Sequence, residues 1–172
     1  MSKQRVVITG LGPVTPIGVN KTEYWQNLLA GVSGTRPIQF PDQNMDQYRT
    51  RIAAPVEGFN AHDYLLPDKK NRYLGRPTRF ALAGAKMALQ DAGLDLVPVN
   101  GHFEVAGIDP DRMGVILGAA AGNMTILERE FGRPAHENGP KRFSPHALPN
   151  HLISAVPASV AMMFNCICIL NG

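Results

Sequence analysis

The sequence has few of the features that define secreted, membrane-spanning or nucleic-acid-binding proteins. Only two of its 172 residues are cysteines, Cys166 and Cys168, and a single intervening residue places them poorly for a disulfide. This usage is typical of a reduced, cytoplasmic protein. There is no apolar run of about 18 residues and no apolar leader near Met1, so neither a membrane span nor secretion is predicted. No stripe of basic and aromatic residues occurs, which argues against a nucleic-acid partner.

The overall composition is that of one globular domain. Hydrophobic residues make up 44% and charged residues 18%, which excludes a disordered chain. The net charge of +3 is mildly basic and suits an acidic partner without requiring one. The two cysteines have no third and fourth ligand placed with them, so no metal site is predicted, and no cofactor either. The turn Gly10-Leu11-Gly12-Pro13 lacks the third glycine of a phosphate loop and is interpreted as structural.

Apolar patterning predicts alternating strands and helices. Predicted strands are the β-branched run Arg5–Gly10 and the apolar run Met113–Gly118. A helix is predicted between Asn20, with Glu23 reaching back to the cap, and Gly31. Three further helices are predicted: one from a Thr78 cap to Gly93, one over 125–131, and one over 150–163 that is kinked at Pro157. The remaining segments are predicted to be loops: a surface excursion over 34–68 with short strands near 51–54, and loops over 97–111 and 132–149. This order favours an α/β fold with a mixed or parallel sheet covered on both faces.

Three segments occur together in an order that is typical of one family. They are RVVITGLGPVTPIG (5–18) with the W-x-x-LLAGxSG pattern of 25–34, RYLGRPTRFALAGAKMALQDAGL (72–94), and RMGVILGAAAG (112–122) with GPKRFSPHALPNHL (139–152). Over residues 3–164 the chain resembles the β-ketoacyl-acyl-carrier-protein synthases. The resemblance implies a thiolase-like fold of two duplicated halves, of which this chain matches most of the first. It predicts a partial N-terminal β-ketoacyl synthase domain over 1–164 and a divergent tail over 165–172.

The family's chemistry is a decarboxylative condensation of an acyl thioester with malonyl-acyl-carrier protein, in fatty-acid or polyketide synthesis. The resemblance therefore implies an acyltransferase, a homodimer, and acyl carrier protein and acyl thioester as partners. The family nucleophile is a cysteine in a T-A-C-x-x-G motif at a helix N-terminus, where the thiolate is stabilised. That motif does not occur in the sequence, and the family's two histidines and lysine belong to the half that the chain does not match.

The residues after Phe164 depart from the family pattern. Cys166 and Cys168 have no paired base and no small residue before them, so they are not expected to replace the nucleophile. No catalytic residue is assigned, and we expect a fragment or a frameshifted product that is inactive alone, which translation of the downstream DNA in other frames would test. Two alternatives remain open: a non-catalytic partner of an active synthase, as chain-length-determining subunits are, and an independent binding domain. Uncovered apolar surface on the helix at 78–92 would predict aggregation or a partner.

Two groups of binding residues follow from the resemblance. Ala121, His146 and Ala147 match positions that line the family's acyl pocket, and their identities indicate a wider or more polar pocket, or neutral variation in the core. Lys69, Lys70 and Arg72 lie where basic residues of the family dock the acidic carrier protein; ordinary surface charge is the alternative. His102, His136 and His151 are interpreted as surface or capping residues.

Overall fold

The structure is a computed structural model that describes residues 5–39, 44–132, 137, 139 and 144–168, with only the backbone of Cys168. Of the predictions above, His136 and half of the loop over 132–149 lie outside the described residues. The helices are α1 (Lys21–Leu29), α2 (Arg76–Asp91), α3 (Met124–Phe131), α4 (Ala147–His151) and α5 (Ala155–Met163). The strands are β1 (Arg36–Pro37), β2 (Ile52–Ala53), β3 (Leu96–Val99), β4 (His102–Val105), β5 (Gly114–Val115) and β6 (Ile167–Cys168).

The capping residues predicted for α1 are confirmed. The Asn20 side chain accepts a hydrogen bond from the Glu23 amide at 2.9 Å, and the Glu23 carboxylate accepts one from the Val19 amide at 3.0 Å. These reciprocal bonds satisfy amides that the first helical turn leaves free. At the other end Gly31 has φ 68 and donates to the Leu28 carbonyl, which ends the helix as predicted.

Helix α2 begins two residues earlier than predicted, and the cap assigned to Thr78 is wrong. Gly75 is the N-cap, and Pro77 stands in the first turn, where a missing amide costs nothing. Thr78 is therefore already inside the helix and is buried. The predicted end is confirmed, because Gly93 has φ 75 and its amide donates to the Gln90 carbonyl.

The buried strand predicted at Arg5–Gly10 is wrong for the described structure. Val6 is 96% exposed, and no described strand forms a ladder with this segment. The segment instead runs toward α2, where the backbones of Gly10 and Gly12 lie so close that an added Cβ would overlap the carbonyl oxygens of Ala88 and Gly84. β-Branched composition favours an extended backbone, but a strand also needs a neighbour to hydrogen-bond with.

The described strands form three two-stranded pairs. β1 and β2 are antiparallel, which confirms a short strand near 51–54. β5 and β6 are parallel, with Gly114 opposite Ile167 and Val115 opposite Cys168. β5 is shorter than the predicted run Met113–Gly118: within the described ranges Gly114 and Val115 pair with β6, and Ile116 beyond them is largely exposed.

The loop predicted over 97–111 is wrong in its first half. β3 and β4 form an antiparallel hairpin in which Val99 pairs with His102. Asn100 and Gly101, the two turn residues, both have positive φ, at 47 and 91. An Asn-Gly pair with this geometry is the turn that matches the twist of flanking strands. The Asn100-Gly101 dipeptide therefore indicates a hairpin, whereas the prolines near it in the sequence favour a loop.

The long helix predicted over 150–163 is two helices. α4 ends at His151 and α5 begins at Ala155, so the break falls over 152–154 and there is no kink at Pro157. Pro157 occupies the first turn of α5, where its ring does not meet a helical carbonyl four residues back. A proline that could not continue a helix thus starts a new one.

The core lies between α2, α5 and the hairpin. Its buried members are Ala61, Leu65, Leu82, Phe103, Val160 and Phe164. The rings of Phe103 and Phe164 stack with their centroids 5.8 Å apart, which joins the hairpin to the end of α5.

In the part of the chain that the structure describes, no helix is long and apolar enough to cross a membrane.

A single carboxylate joins α1, the 10–13 turn and α2. Asp91 forms an ion pair with Lys21 and accepts a hydrogen bond from the Leu11 amide at 3.0 Å. The Lys21 hydrogen bond, followed by the Leu11 amide, lowers the pKa of Asp91 below its usual value.

Replacing Asp91 with asparagine should therefore weaken the fold in a pH-dependent way. A lowered folded-state pKa contributes stability above the ordinary carboxyl pKa, and this contribution is lost as pH falls through the folded value. We expect Asp91→Asn to be less stable than the parent at pH 7 and equally stable near about pH 2, by urea denaturation. A difference that stays constant across this range would contradict the assignment.

Candidate functional site

A short 3₁₀ helix presents the predicted docking residues. It spans Lys69–Tyr73, and the Asp68 carboxylate caps it by accepting a hydrogen bond from the Lys70 amide at 2.7 Å. The structure places Lys69, Lys70 and Arg72 here with exposed side chains. Because the cap fixes the turn, these three cations are held on a defined scaffold at the entrance to α2.

Two further cations extend this group along the first turn of α2. Arg76 and Arg79 follow Lys69, Lys70 and Arg72 in the chain, and we call these five residues the basic cluster. None of the five forms an ion pair with a carboxylate among the described residues, whereas Arg36, Arg51 and Arg129 each do. A group of like charges without counterions raises the local positive potential, which favours an acidic partner.

Tyr73, beside the basic cluster, contacts one of the predicted acyl-pocket residues. Tyr73 stacks against His146 with ring centroids 4.2 Å apart and an interplanar angle of 29°. The Arg72 guanidinium lies 4.6 Å from the centroid of the same Tyr73 ring and donates a hydrogen bond to its hydroxyl. The sequence analysis missed Tyr73, which thereby joins a predicted docking residue to a predicted pocket residue.

The three acyl-pocket candidates have different environments. Ala147 is 3% exposed and begins α4, whereas His146, its N-cap, and Ala121 are exposed. The structure thus brings His146 to the basic cluster and places Ala147 in the core. Their role in an acyl pocket stays a prediction.

Asn123 is a further positioning residue that the sequence analysis missed. It is 1% exposed, and its amide nitrogen donates to the Asn150 carbonyl and, at 3.5 Å, to the Thr78 hydroxyl. Gly75 passes so close that an added Cβ would overlap the Asn123 side chain. Asn123 therefore ties the starts of α2 and α3 to α4, which carries His146. An asparagine before an apolar helix is a capping signal, but this side chain turns inward instead.

An apolar groove of about 590 Å³ lies along the other side of α2. Gly84 and Ala88 of α2 form one wall, and Val115, Leu117 and Cys166 contribute to the opposite side. Val160 and Phe164 also line the groove, so it lies where α2, α5 and β5 meet. Leu82 and Ala83 of α2 are buried, whereas Gly84 and Ala88 are only partly covered.

Cys166 does not have the placement of the family nucleophile. It stands between the end of α5 and β6, and its amide donates to the Ala161 carbonyl at 3.0 Å, closing the helix. Asn165 before it has φ 46, and the Ile167 amide donates to Met113 at the start of β6. Cys166 therefore follows a helix and precedes a strand, so no helix N-terminus stabilises its thiolate. Cys168 pairs through its backbone with Val115.

No group of three or more metal-binding side chains occurs within the described ranges. The site that the structure does build consists of the basic cluster, the Tyr73–His146 stack beside it and the buried Asn123 that fixes the two helices behind them. It is suited to hold a negatively charged partner, and it contains no arrangement of nucleophile and base.

Solved structures share this fold. The chain superposes on the ishigamide ketosynthase/chain length factor with a TM-score of 0.75 at 23% identity, covering 96% of this chain and 38% of that one. A β-ketoacyl synthase from Burkholderia phymatum gives a TM-score of 0.73 at 28% identity, covering 97% and 38%. The fold is therefore an incomplete thiolase-like α/β fold.

The sequence comparisons identify the family within this fold. Residues 3–167 match the model of the β-ketoacyl synthase N-terminal domain. The chain is 33% identical over 165 residues to 3-oxoacyl-[acyl-carrier-protein] synthase 2 of Coxiella burnetii, covering 96% of this chain and 37% of that protein. It is 39% identical over 128 residues to the granaticin polyketide putative β-ketoacyl synthase 1 of Streptomyces violaceoruber, covering 74% and 28%.

The chain belongs to the β-ketoacyl synthase family, in which it corresponds to the N-terminal domain. It spans about 37% of the length of the Coxiella burnetii relative. This confirms the resemblance seen in the three sequence segments. The domain boundary at residue 164 stays a prediction.

Proposed function

We propose that this chain is the carrier-receiving part of a β-ketoacyl-acyl-carrier-protein synthase. The reaction is an acyl transfer to a cysteine, followed by decarboxylation of malonyl thioester and attack of the resulting carbanion on the acyl carbonyl. The observation that carries the proposal is the basic cluster, whose five cations have no carboxylate partner within the described part of the chain. Two of the relatives are each called 3-oxoacyl-[acyl-carrier-protein] synthase 2, a name that contains the acyl carrier protein as part of the substrate.

The docking role is supported by the scaffold as well as by the charge. Asp68 fixes the turn, and Tyr73 holds the Arg72 side chain, so the backbone that carries the cations and the Arg72 guanidinium are placed before any partner arrives. Preorganised charges lose little side-chain entropy on binding and speed the encounter with an oppositely charged protein. A complex of an acyl carrier protein with its ketosynthase has been solved for AntDE:AntF, which has a TM-score of 0.72 and 19% identity to this chain.

We propose that these 172 residues alone do not catalyse the condensation. The reaction needs a thiolate and groups that polarise the malonyl thioester, and the T-A-C-x-x-G nucleophile motif of the family does not occur among these residues. Activity would require the remainder of a synthase, in the family's dimeric form. The low cysteine content supports action in the cytoplasm.

A second candidate function is that of a non-catalytic partner of an active synthase. One of the solved structures that share this fold is a ketosynthase/chain length factor, which motivates this alternative. Co-expression with a complete ketosynthase distinguishes the two functions. A stable complex in which the complete enzyme supplies the nucleophile would support the partner role, whereas a chain that remains alone during co-purification would contradict it.

Charge reversal in the basic cluster tests carrier docking. Lys69→Glu combined with Lys70→Glu should weaken binding of an acidic acyl carrier protein to the chain by about 10- to 100-fold, because two attractive charges become repulsive. Isothermal titration calorimetry at low and moderate salt measures the change. The loss should shrink as salt screens the charges.

A variant with the same change in net charge serves as the control. Arg49→Glu combined with Arg112→Glu alters two exposed arginines that lie outside the cluster. Carrier affinity should fall little in this control. Equal losses in both double variants would mean that only the net charge matters, and unchanged affinity in the Lys69 and Lys70 variant would remove the docking proposal.

A further inference from the structure

A polar cavity of about 420 Å³ opens behind the basic cluster. Its apolar floor is formed by Ala61 and Leu65, which are buried core residues. Its polar lining comes from two 3₁₀ helices, Ala61–Asp63 and Lys69–Tyr73, and from α2. The polar residues of the lining are His62, Asp68, Lys69, Asn71, Arg72 and Arg79.

The charges of this lining favour an anion. Lys69, Arg72 and Arg79 are cationic, and none of them pairs with a carboxylate of the described residues. Asp68 is the one acidic residue of the lining, and its Oδ1 atom is engaged by the Lys70 amide. The cavity thus holds an excess of positive charge beside a floor that excludes water from one side, which strengthens the attraction for a compact anion.

Arg79 is a half-buried cation of the cavity. It lies on α2, and one terminal nitrogen donates to the Asn71 carbonyl at 3.2 Å. This bond orients the guanidinium, and its other N–H donors have no partner among the described residues. A planar donor fork held in place matches the paired oxygens of a phosphate group, and Lys69 and Arg72 supply further charge at the rim.

We propose that this cavity is a binding site for the phosphate group of a phosphate ester. Arg79 is the fixed donor, Lys69 and Arg72 close over the group, and His62 offers a further donor at the rim. The site overlaps the protein-docking surface in Lys69, Arg72 and Arg79, and it differs from that surface in Lys70, which belongs to the basic cluster but does not line the cavity. The phosphate could belong to a free small molecule or to a group attached to a carrier protein, and the chemistry of recognition is the same.

Titration with inorganic phosphate tests the site. Phosphate should raise the melting temperature of the full chain more than chloride does at equal ionic strength, and calorimetry should show saturable binding. Arg79→Gln should weaken phosphate binding by about tenfold or more, since it removes the fixed charged donor. Lys70→Gln is the matched control and should leave phosphate affinity unchanged while still weakening carrier docking.

A second variant guards against misfolding of Arg79→Gln. Lys69 is exposed, so Lys69→Gln removes a charge from the cavity without disturbing the core, and it should lower phosphate affinity severalfold. A phosphate effect no larger than that of chloride, or one insensitive to both Arg79→Gln and Lys69→Gln, would overturn the proposal. The Lys70 variant separates this failure from failure of the docking proposal.

Carrier protein prepared with and without a phosphate-bearing arm identifies the source of the phosphate. If the arm strengthens binding to the parent chain but not to Arg79→Gln, the cavity receives the carrier's phosphate. If the arm makes no difference while inorganic phosphate still binds, the ligand is a free phosphate ester. Both results support the site and assign its source.

Discussion

Replacing Leu82 with alanine should lower the free energy of unfolding by about 2–5 kcal/mol. Leu82 is 1% exposed at the centre of α2, within the core that α5 and the hairpin complete. Truncation removes its apolar contacts and leaves a cavity that rigid neighbours such as Phe103 and Phe164 fill only in part. Since small domains are stable by about 5–15 kcal/mol, this loss is a large fraction of the total.

The same substitution at an exposed helical position is the control. Leu29 ends α1 with 71% of its surface exposed, so Leu29→Ala should change the unfolding free energy by less than about 0.5 kcal/mol. Urea denaturation of both variants measures the difference as a shift in midpoint. Similar midpoints for the two would contradict the position of the core. If Leu82→Ala does not fold, Leu82→Met gives the milder test.

Replacing Gly122 with alanine should destabilise the protein by about 1–3 kcal/mol. Gly122 is buried, and an added Cβ would overlap the backbone carbonyl oxygen of His151. Because a carbonyl at the end of α4 cannot rotate away as a side chain can, the methyl group must push α4 outward. His146 is the N-cap of the same helix, so its stacking on Tyr73 should loosen as well.

Gly118 provides a matched control four residues earlier. An added Cβ there meets nothing within 4 Å, so Gly118→Ala should be neutral or stabilise the fold by up to about 1 kcal/mol through the unfolded state. Thermal unfolding shows whether each of the two substitutions raises or lowers the stability. The NMR chemical shifts of the His146 ring report whether it still stacks on Tyr73. A stable Gly122→Ala protein with an unchanged ring environment would show that α4 is not held against this glycine.

The parts of the fold that local chemistry determines were predictable from the sequence. The cap of α1 and the glycines that end α1 and α2 each depend on neighbouring residues, and all were found where expected. The Asn100-Gly101 turn is equally local, and attention to that dipeptide would have identified the hairpin. Pro157 was correctly expected to be unable to continue a preceding helix. It lies instead in the first turn of α5.

Features that depend on distant contacts could not be predicted in the same way. Arg5–Gly10 has strand composition, yet ladder formation requires a partner that composition does not reveal. Asn123 has a capping residue's position, yet its side chain bonds to Thr78 and Asn150, which only the tertiary fold brings near. The basic cluster is visible in the sequence because its residues lie within one short segment, whereas the contact between Tyr73 and His146 joins segments that are far apart in the chain.

The two kinds of strand pairing also set an order of events during folding. The hairpin of β3 and β4 closes over a two-residue turn, so it can form within microseconds. β5 and β6 close a loop of about 50 residues, which costs conformational entropy. The two residue pairs described between these strands offset little of that cost. β6 should therefore be the last strand to dock, after α5 has packed on α2 and carried it into place. Mutations that slow the α2–α5 contact would leave β5 transiently unpaired, which makes this edge the point where newly made chains are most prone to associate.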